Sequence, residues 1–114
     1  MRKELDAQAQ ISSLYPETYE EFVKNCESML DLFSEKQLDY GPENVCVFGS
    51  TIDDTNVDIS KAYLILEMNN KIARLKNLVL KDKKPKNESV VDTVMDLAIY
   101  SNMFLIVNNK KWGK

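Results

Sequence analysis

The sequence predicts an all-α fold: a helical bundle of three main helices, completed by self-association. Three observations predict it. From Tyr19 to Phe33 the apolar residues Tyr19, Phe22, Val23, Cys26, Met29, Leu30 and Phe33 follow steps of 3 or 1 and trace one stripe of a 3.6-residue helix. Residues 59–80 and 88–108 each run without a glycine or proline. Both are apolar around more than one face, which is more surface than a three-helix monomer covers. A symmetric dimer is the simplest completion.

Taken in order, residues 1–17 have weak periodicity and read as an N-terminal arm, leaving 18–114 as the helical domain. The first main helix is expected near Thr18, where Glu21 completes a capping box. It is expected to end near Lys36, since Gly41 and Pro42 follow closely. Cys26 falls on its apolar stripe, the usual place for a buried free thiol. Residues 45–57 read as loop, with a short extended piece at Val45 to Phe48. Asp58 is the expected cap of the helix over 59–80. "KDKKPKN" connects, and Asn87 is the expected cap of the helix over 88–108.

Composition narrows the chemistry. The 114 residues include no histidine, which excludes imidazole acid–base catalysis and histidine metal ligation. Two cysteines without ligand spacing suit a reducing cytoplasm, whether bacterial or of an infecting phage, and no charged-then-apolar leader opens the sequence. The apolar stretch Val90 to Val107 is broken by Asp92, Asp96, Ser101 and Asn102, so no membrane partner is expected. The formal charge of -3 argues against broad nucleic-acid binding. Its distribution is uneven: residues 1–44 hold ten acidic and four basic side chains, residues 71–86 seven basic and one acidic. Such a split fits a local anion site or subunits meeting acidic face to basic face. Solvated helix faces beside a basic loop explain it equally well.

Polar side chains inside the apolar helices are the candidate chemistry. Glu67, Lys71 and Arg74 follow an i, i+4, i+7 row with Asn70 beside them, and Glu88, Asp92, Asp96 and Tyr100 form a second row at i+4. Stacked carboxylates repel, so a cation belongs opposite them. Either a divalent metal or the Lys71/Arg74 row supplies it. A purely structural ion-pair network and a ligand pocket between helices both satisfy the pattern. In the pocket reading Lys71 and Arg74 meet phosphate, Asp92 and Asp96 hold Mg²⁺, and Glu88 only favours the helix dipole. A further cluster, "EKQLDYGPENV", contains Asp39, Tyr40, Gly41 and Asn44, either a helix stop or a pocket lip.

Three blocks, "KQLDYGPENV", "MNNKIARLKNL" and "KPKNESVVDTVMDLAIY", in this order and spacing, resemble the phage and prophage family called nucleotide modification associated domain 1. The resemblance covers about residues 19–107. The pattern is also similar to the all-α NTP pyrophosphohydrolases, the MazG-like bundles, which hold Mg²⁺ with acidic residues on two helices. That resemblance implies Asp92 and Asp96 as the second acidic motif, with Lys71 at the catalytic centre and Glu67, Asp92 and Asp96 as the metal set. It implies Asp39, Tyr40, Asn44, Asn70, Lys71, Arg74 and Tyr100 around a nucleotide, with Tyr40 stacking on the base. The first acidic motif, normally two glutamates a turn apart, is here Glu67 and Lys71, a departure that weakens metal binding and with it the case for catalysis, and is compatible with nucleotide binding.

Three functions follow from these readings. The first is an Mg²⁺-dependent nucleotide pyrophosphohydrolase. The second is a non-catalytic sponge that sequesters a nucleotide or a cyclic-nucleotide immune signal as an anti-defence protein. The third is a protein-interaction module working through an exposed apolar helix face.

Overall fold

A computed structural model describes the backbone of residues 2–46 and 49–114, and the side chains of 6–46 and 49–114. It is all-helical, with no strand among the described residues. The helices are α1 (Arg2–Leu14), α2 (Pro16–Tyr40), α3 (Val57–Leu75) and α4 (Val90–Asn108). A 3₁₀ turn at Pro42–Asn44 and a π-helical turn at Lys76–Leu80 complete the helical structure. The chain forms two compact units, Met1–Ser34 and Glu35–Lys114.

In the first unit, most of the expected N-terminal arm is helical. Tyr15 joins α1 to α2 through backbone bonds from its N–H to Ile11 and from the Tyr19 N–H to its own carbonyl. Pro16 starts α2, two residues before the predicted Thr18; proline suits the first helical position because its missing N–H has no partner there. α2 buries no residue. Cys26, expected inside, is therefore exposed, as are Phe22 and Leu30 on the same stripe.

In the second unit, α3 packs on α4. The buried apolar residues among those described are Leu64 of α3, Met103 and Val107 of α4, and Val45, Cys46, Ile52 and Trp112. The tail crosses the 42–56 segment: the Trp112 indole Nε1 donates to the Pro42 carbonyl at 2.9 Å, and the Ile52 N–H donates to the Trp112 carbonyl at 3.3 Å. Gly113 (φ 77°) makes that crossing possible, because a Cβ there would meet the Ser50 carbonyl oxygen at 2.1 Å.

Side-chain bonds tie Cys46 to residues 51–56. Asn56 Nδ2 donates to the Thr51 carbonyl (3.0 Å) and to Cys46 Sγ (3.1 Å), and its Oδ1 accepts from the Asp53 N–H (2.9 Å). Cys46 donates its thiol proton to the Thr51 carbonyl. Burial raises its pKa, so it stays a packed thiol rather than a nucleophile. Of the expected extended piece, Val45 and Cys46 follow the 3₁₀ turn without forming a strand, and residues 47 and 48 lie outside the described residues.

Helix boundaries shift for local reasons. Asn56, not Asp58, precedes α3. The predicted helix over 59–80 ends as α-helix at Leu75 and continues as the π turn, in line with the Lys83 N–H reaching the Leu78 carbonyl. Ser89, not Asn87, caps α4, its hydroxyl accepting from the Asp92 N–H at 3.0 Å. By length and composition alone α4 could cross a membrane. Its inner face, however, carries Thr93, Asp96 and Tyr100, which bond to charged residues elsewhere in the unit.

Candidate functional site

The polar residues of α3 and α4 meet in one cluster. Lys71 Nζ lies 3.0 Å from Glu88 Oε1 and 3.1 Å from Asp96 Oδ2. Lys36, near the end of α2, reaches the other Asp96 oxygen at 3.3 Å. Arg74 donates to Thr93 Oγ1 and to the Glu88 carbonyl, with its guanidinium 3.7 Å from the Glu88 carboxylate. Thr93 Oγ1 in turn donates to Glu88 Oε1 at 3.0 Å. Two cations on one helix thus share Glu88, and Asp96 bridges Lys71 to Lys36.

The cluster is half-sheltered. Side-chain exposure is 14% at Asp96, 19% at Lys71, 25% at Arg74, 35% at Glu88 and 48% at Lys36, so Glu88 is the more open of the two carboxylates. The Lys71 hydrogen bond holds the Glu88 carboxyl below its usual value against the opposing effect of burial, with Thr93 and Arg74 adding to the lowering. At Lys71 burial disfavours the charge, but the hydrogen bonds and charges of Glu88 and Asp96 outweigh it and raise its pKa.

One turn along, Tyr100 OH donates to Glu67 Oε2 at 3.3 Å. Burial and the Glu67 charge raise the Tyr100 pKa well above the phenol range. Tyr63 is raised by the same two causes, with Tyr40 a smaller third, which places an aromatic group around Glu67. Tyr40 itself is 66% exposed.

The second predicted row breaks at Asp92. Helix α4 begins at Val90, so Glu88 stands outside it and is free to turn toward α3. Steps of four also advance the row by about 40° each around the helix, which carries Asp92 off the face that Asp96 and Tyr100 share. Asp92 is exposed in the first turn and forms no ion pair among the described residues. Glu88, expected only to favour the dipole, is instead the main partner of Lys71 and Arg74. Asn70 is exposed on α3.

The opening cluster closes α2. Gly41 takes φ 72°, its N–H donates to the Gln37 carbonyl, and the Gln37 amide holds both the Gly41 carbonyl (2.7 Å) and Asn44 Oδ1 (3.1 Å). Asn44 therefore serves the turn, while Asp39 and Tyr40 point outward. Sequence reasoning missed Lys36, Tyr63 and Thr93. Thr93 had a signal, as the polar residue three before Asp96 on the same face.

The residues do not fit a resident metal. Asp96 is held by two lysines, Glu67 by Tyr100, and Asp92 faces away. Among the described residues no group of three acidic or cysteine side chains is placed to hold an ion.

A pH dependence follows. The stability Glu88 contributes is fully present above its ordinary value of 4.5 and is lost as pH falls through its lower folded value. The Lys71 contribution is complete below 10.5 and is lost as pH rises through its raised folded value. Urea midpoints measured across pH should form a plateau that falls at both ends. Glu88→Gln should shrink the acid limb without abolishing it, since hydrogen bonds from Thr55 also hold Asp53 low. An acid limb of unchanged size would show that Glu88 is not paired in solution.

Against known proteins the chain stands apart: no family model, curated protein or solved structure matches it.

Proposed function

We propose that the chain is a nucleotide-binding protein of the phage family its sequence resembles, acting in the bacterial cytoplasm as a MazG-like helical bundle completed by self-association. The phosphates sit against Lys71 and Arg74, and the base stacks on Tyr40. The supporting observation is Glu88. It is a carboxylate outside the helix, shared by both cations and more open than either of them. A phosphate oxygen reproduces its acceptor role, so exchange leaves Lys71 and Arg74 paired. The exposed Tyr40 ring offers a stacking face.

Binding with release of the intact ligand is the form we favour, the sponge, because Asp92, Asp96 and Glu67 are not gathered for Mg²⁺. Calorimetry with deoxynucleoside mono- and triphosphates and cyclic dinucleotides, with and without Mg²⁺, tests it. The expected result is metal-independent binding, weakened at least tenfold in Arg74→Ala, with the ligand recovered unchanged on denaturation. Glu88→Gln should tighten binding several-fold, because a neutral amide competes less for the two cations. No heat with any nucleotide would reject the proposal. Pyrophosphate release that needs Mg²⁺ and is lost in Asp96→Asn would establish the hydrolase instead.

A further inference from the structure

The face of α3 turned away from the Leu64, Lys71 and Leu78 side is apolar, exposed and regularly spaced. Ile59, Ala62, Leu66, Asn69 and Ala73 follow steps of 3, 4, 3 and 4, the spacing of a two-helix seam, and all five are exposed. Ile65 and Ile72 widen the stripe and are exposed as well. Nothing else in the second unit explains seven such positions in register. The two alanines let another backbone approach closely, and a single asparagine within such a seam is a device for fixing register.

Charge at the two ends of α3 identifies the occupant. The approach to its N-terminus carries Asp53, Asp54 and Asp58 and no basic residue between 51 and 60; Asp54 is paired with Lys110, which leaves Asp53 and Asp58 to face a partner. Beyond its C-terminus, residues 76–86 carry five lysines against one aspartate. An α3 running antiparallel to an identical α3 sets each acidic end beside a basic end, and it opposes the two helix dipoles favourably. The outward stripe of α4, Val91, Val94 and Leu105, is also exposed, with Ala98 half-buried among them. Its flanks, however, are basic at both ends: Lys83, Lys84 and Lys86 before it, against Asp92 in its first turn, and Lys111 and Lys114 after it, Lys110 being held by Asp54. Pairing α4 with its own copy sets lysine against lysine. Charge therefore selects α3.

We infer that a second copy of this chain docks antiparallel on the outward face of α3, about a two-fold axis at Leu66. Leu66 then meets Leu66 of the second copy, Ile59 faces the small Ala73, and Ala62 lies level with Asn70, beside Asn69. The seam lies on the opposite side of α3 from Lys71, so dimerisation leaves the charged cluster open. This inference rests on the self-association proposed above and gives it a surface.

Native mass spectrometry and cross-linking by a short bismaleimide test it, in a Cys26→Ser background so that the engineered thiol is the accessible one. Leu66→Cys is expected to cross-link into dimers at high yield, and Val94→Cys on the α4 stripe is not. Leu66→Glu should give a monomer with unchanged helical circular dichroism, since Leu66 is 62% exposed on its own helix. A dimer that cross-links through Val94→Cys and not Leu66→Cys would overturn this seam while leaving self-association standing. A native monomer at micromolar concentration would overturn both.

Discussion

Replacing Trp112 with alanine is expected to lower the stability of the second unit by about 3–5 kcal/mol, the usual cost of truncating a large buried aromatic residue. Trp112 is 3% exposed, and it is the point where the C-terminal tail, the Pro42 turn and the Ile52 segment meet. Its removal opens a cavity, and it also leaves the Pro42 carbonyl without its indole donor. At roughly 1–3 kcal/mol per molar urea, typical of small proteins, the midpoint should fall by more than 1 M when followed by circular dichroism. Trp112→Phe keeps most of the ring but loses the hydrogen bond, and should fall about 1–2 kcal/mol below the parent. An unchanged midpoint in Trp112→Ala would mean that the tail does not pack on the 42–56 segment in solution.

The same anchor shows where the sequence was legible and where it was not. The 3.6-residue periodicity located α2, α3 and α4, because a helix repeats its environment within one turn. Ends were placed less well. The stop at Gly41-Pro42 is local chemistry, but extending α2 to Tyr40 depended on Gln37 reaching the Gly41 carbonyl and Asn44. Residues 45–57 had no pattern to read. Among the described ones, Asn56 binds Cys46 and Thr51, and Ile52 meets Trp112, some 60 residues away in sequence. Such contacts leave no periodic signature.

The candidate site was half legible for a related reason. Lys71, Arg74 and Asp96 are brought together as their spacing implied, and Tyr100 joins Glu67. Asp92 was misplaced because a four-residue repeat drifts around a helix, and Glu88 was undervalued because its role depends on where α4 begins. Lys36 reaches Asp96 from sixty residues away and was invisible.

Whether that cluster supports the fold or serves a ligand is separable by a double-mutant cycle. Lys71→Met should cost about 1–3 kcal/mol, because Asp96, 14% exposed, keeps only the partly exposed Lys36 as a cation. Asp96→Leu alone should cost less, since Lys71 retains Glu88 at 3.0 Å. In the double variant Lys71→Met/Asp96→Leu, neither charge is left stranded, and apolar packing between α3 and α4 takes its place. Much of the single-mutant loss should then return, as it does when buried ion pairs are replaced whole. The coupling energy from the four urea midpoints measures the pair. If the pair matters chiefly to the fold, the double variant recovers stability and nothing else changes. If Lys71 also meets phosphate, the double variant folds as well as the parent yet binds nucleotide more than tenfold more weakly. That combination, stability restored with affinity lost, is the expected outcome, because hydrocarbon can replace an ion pair in packing but cannot pair with a phosphate oxygen.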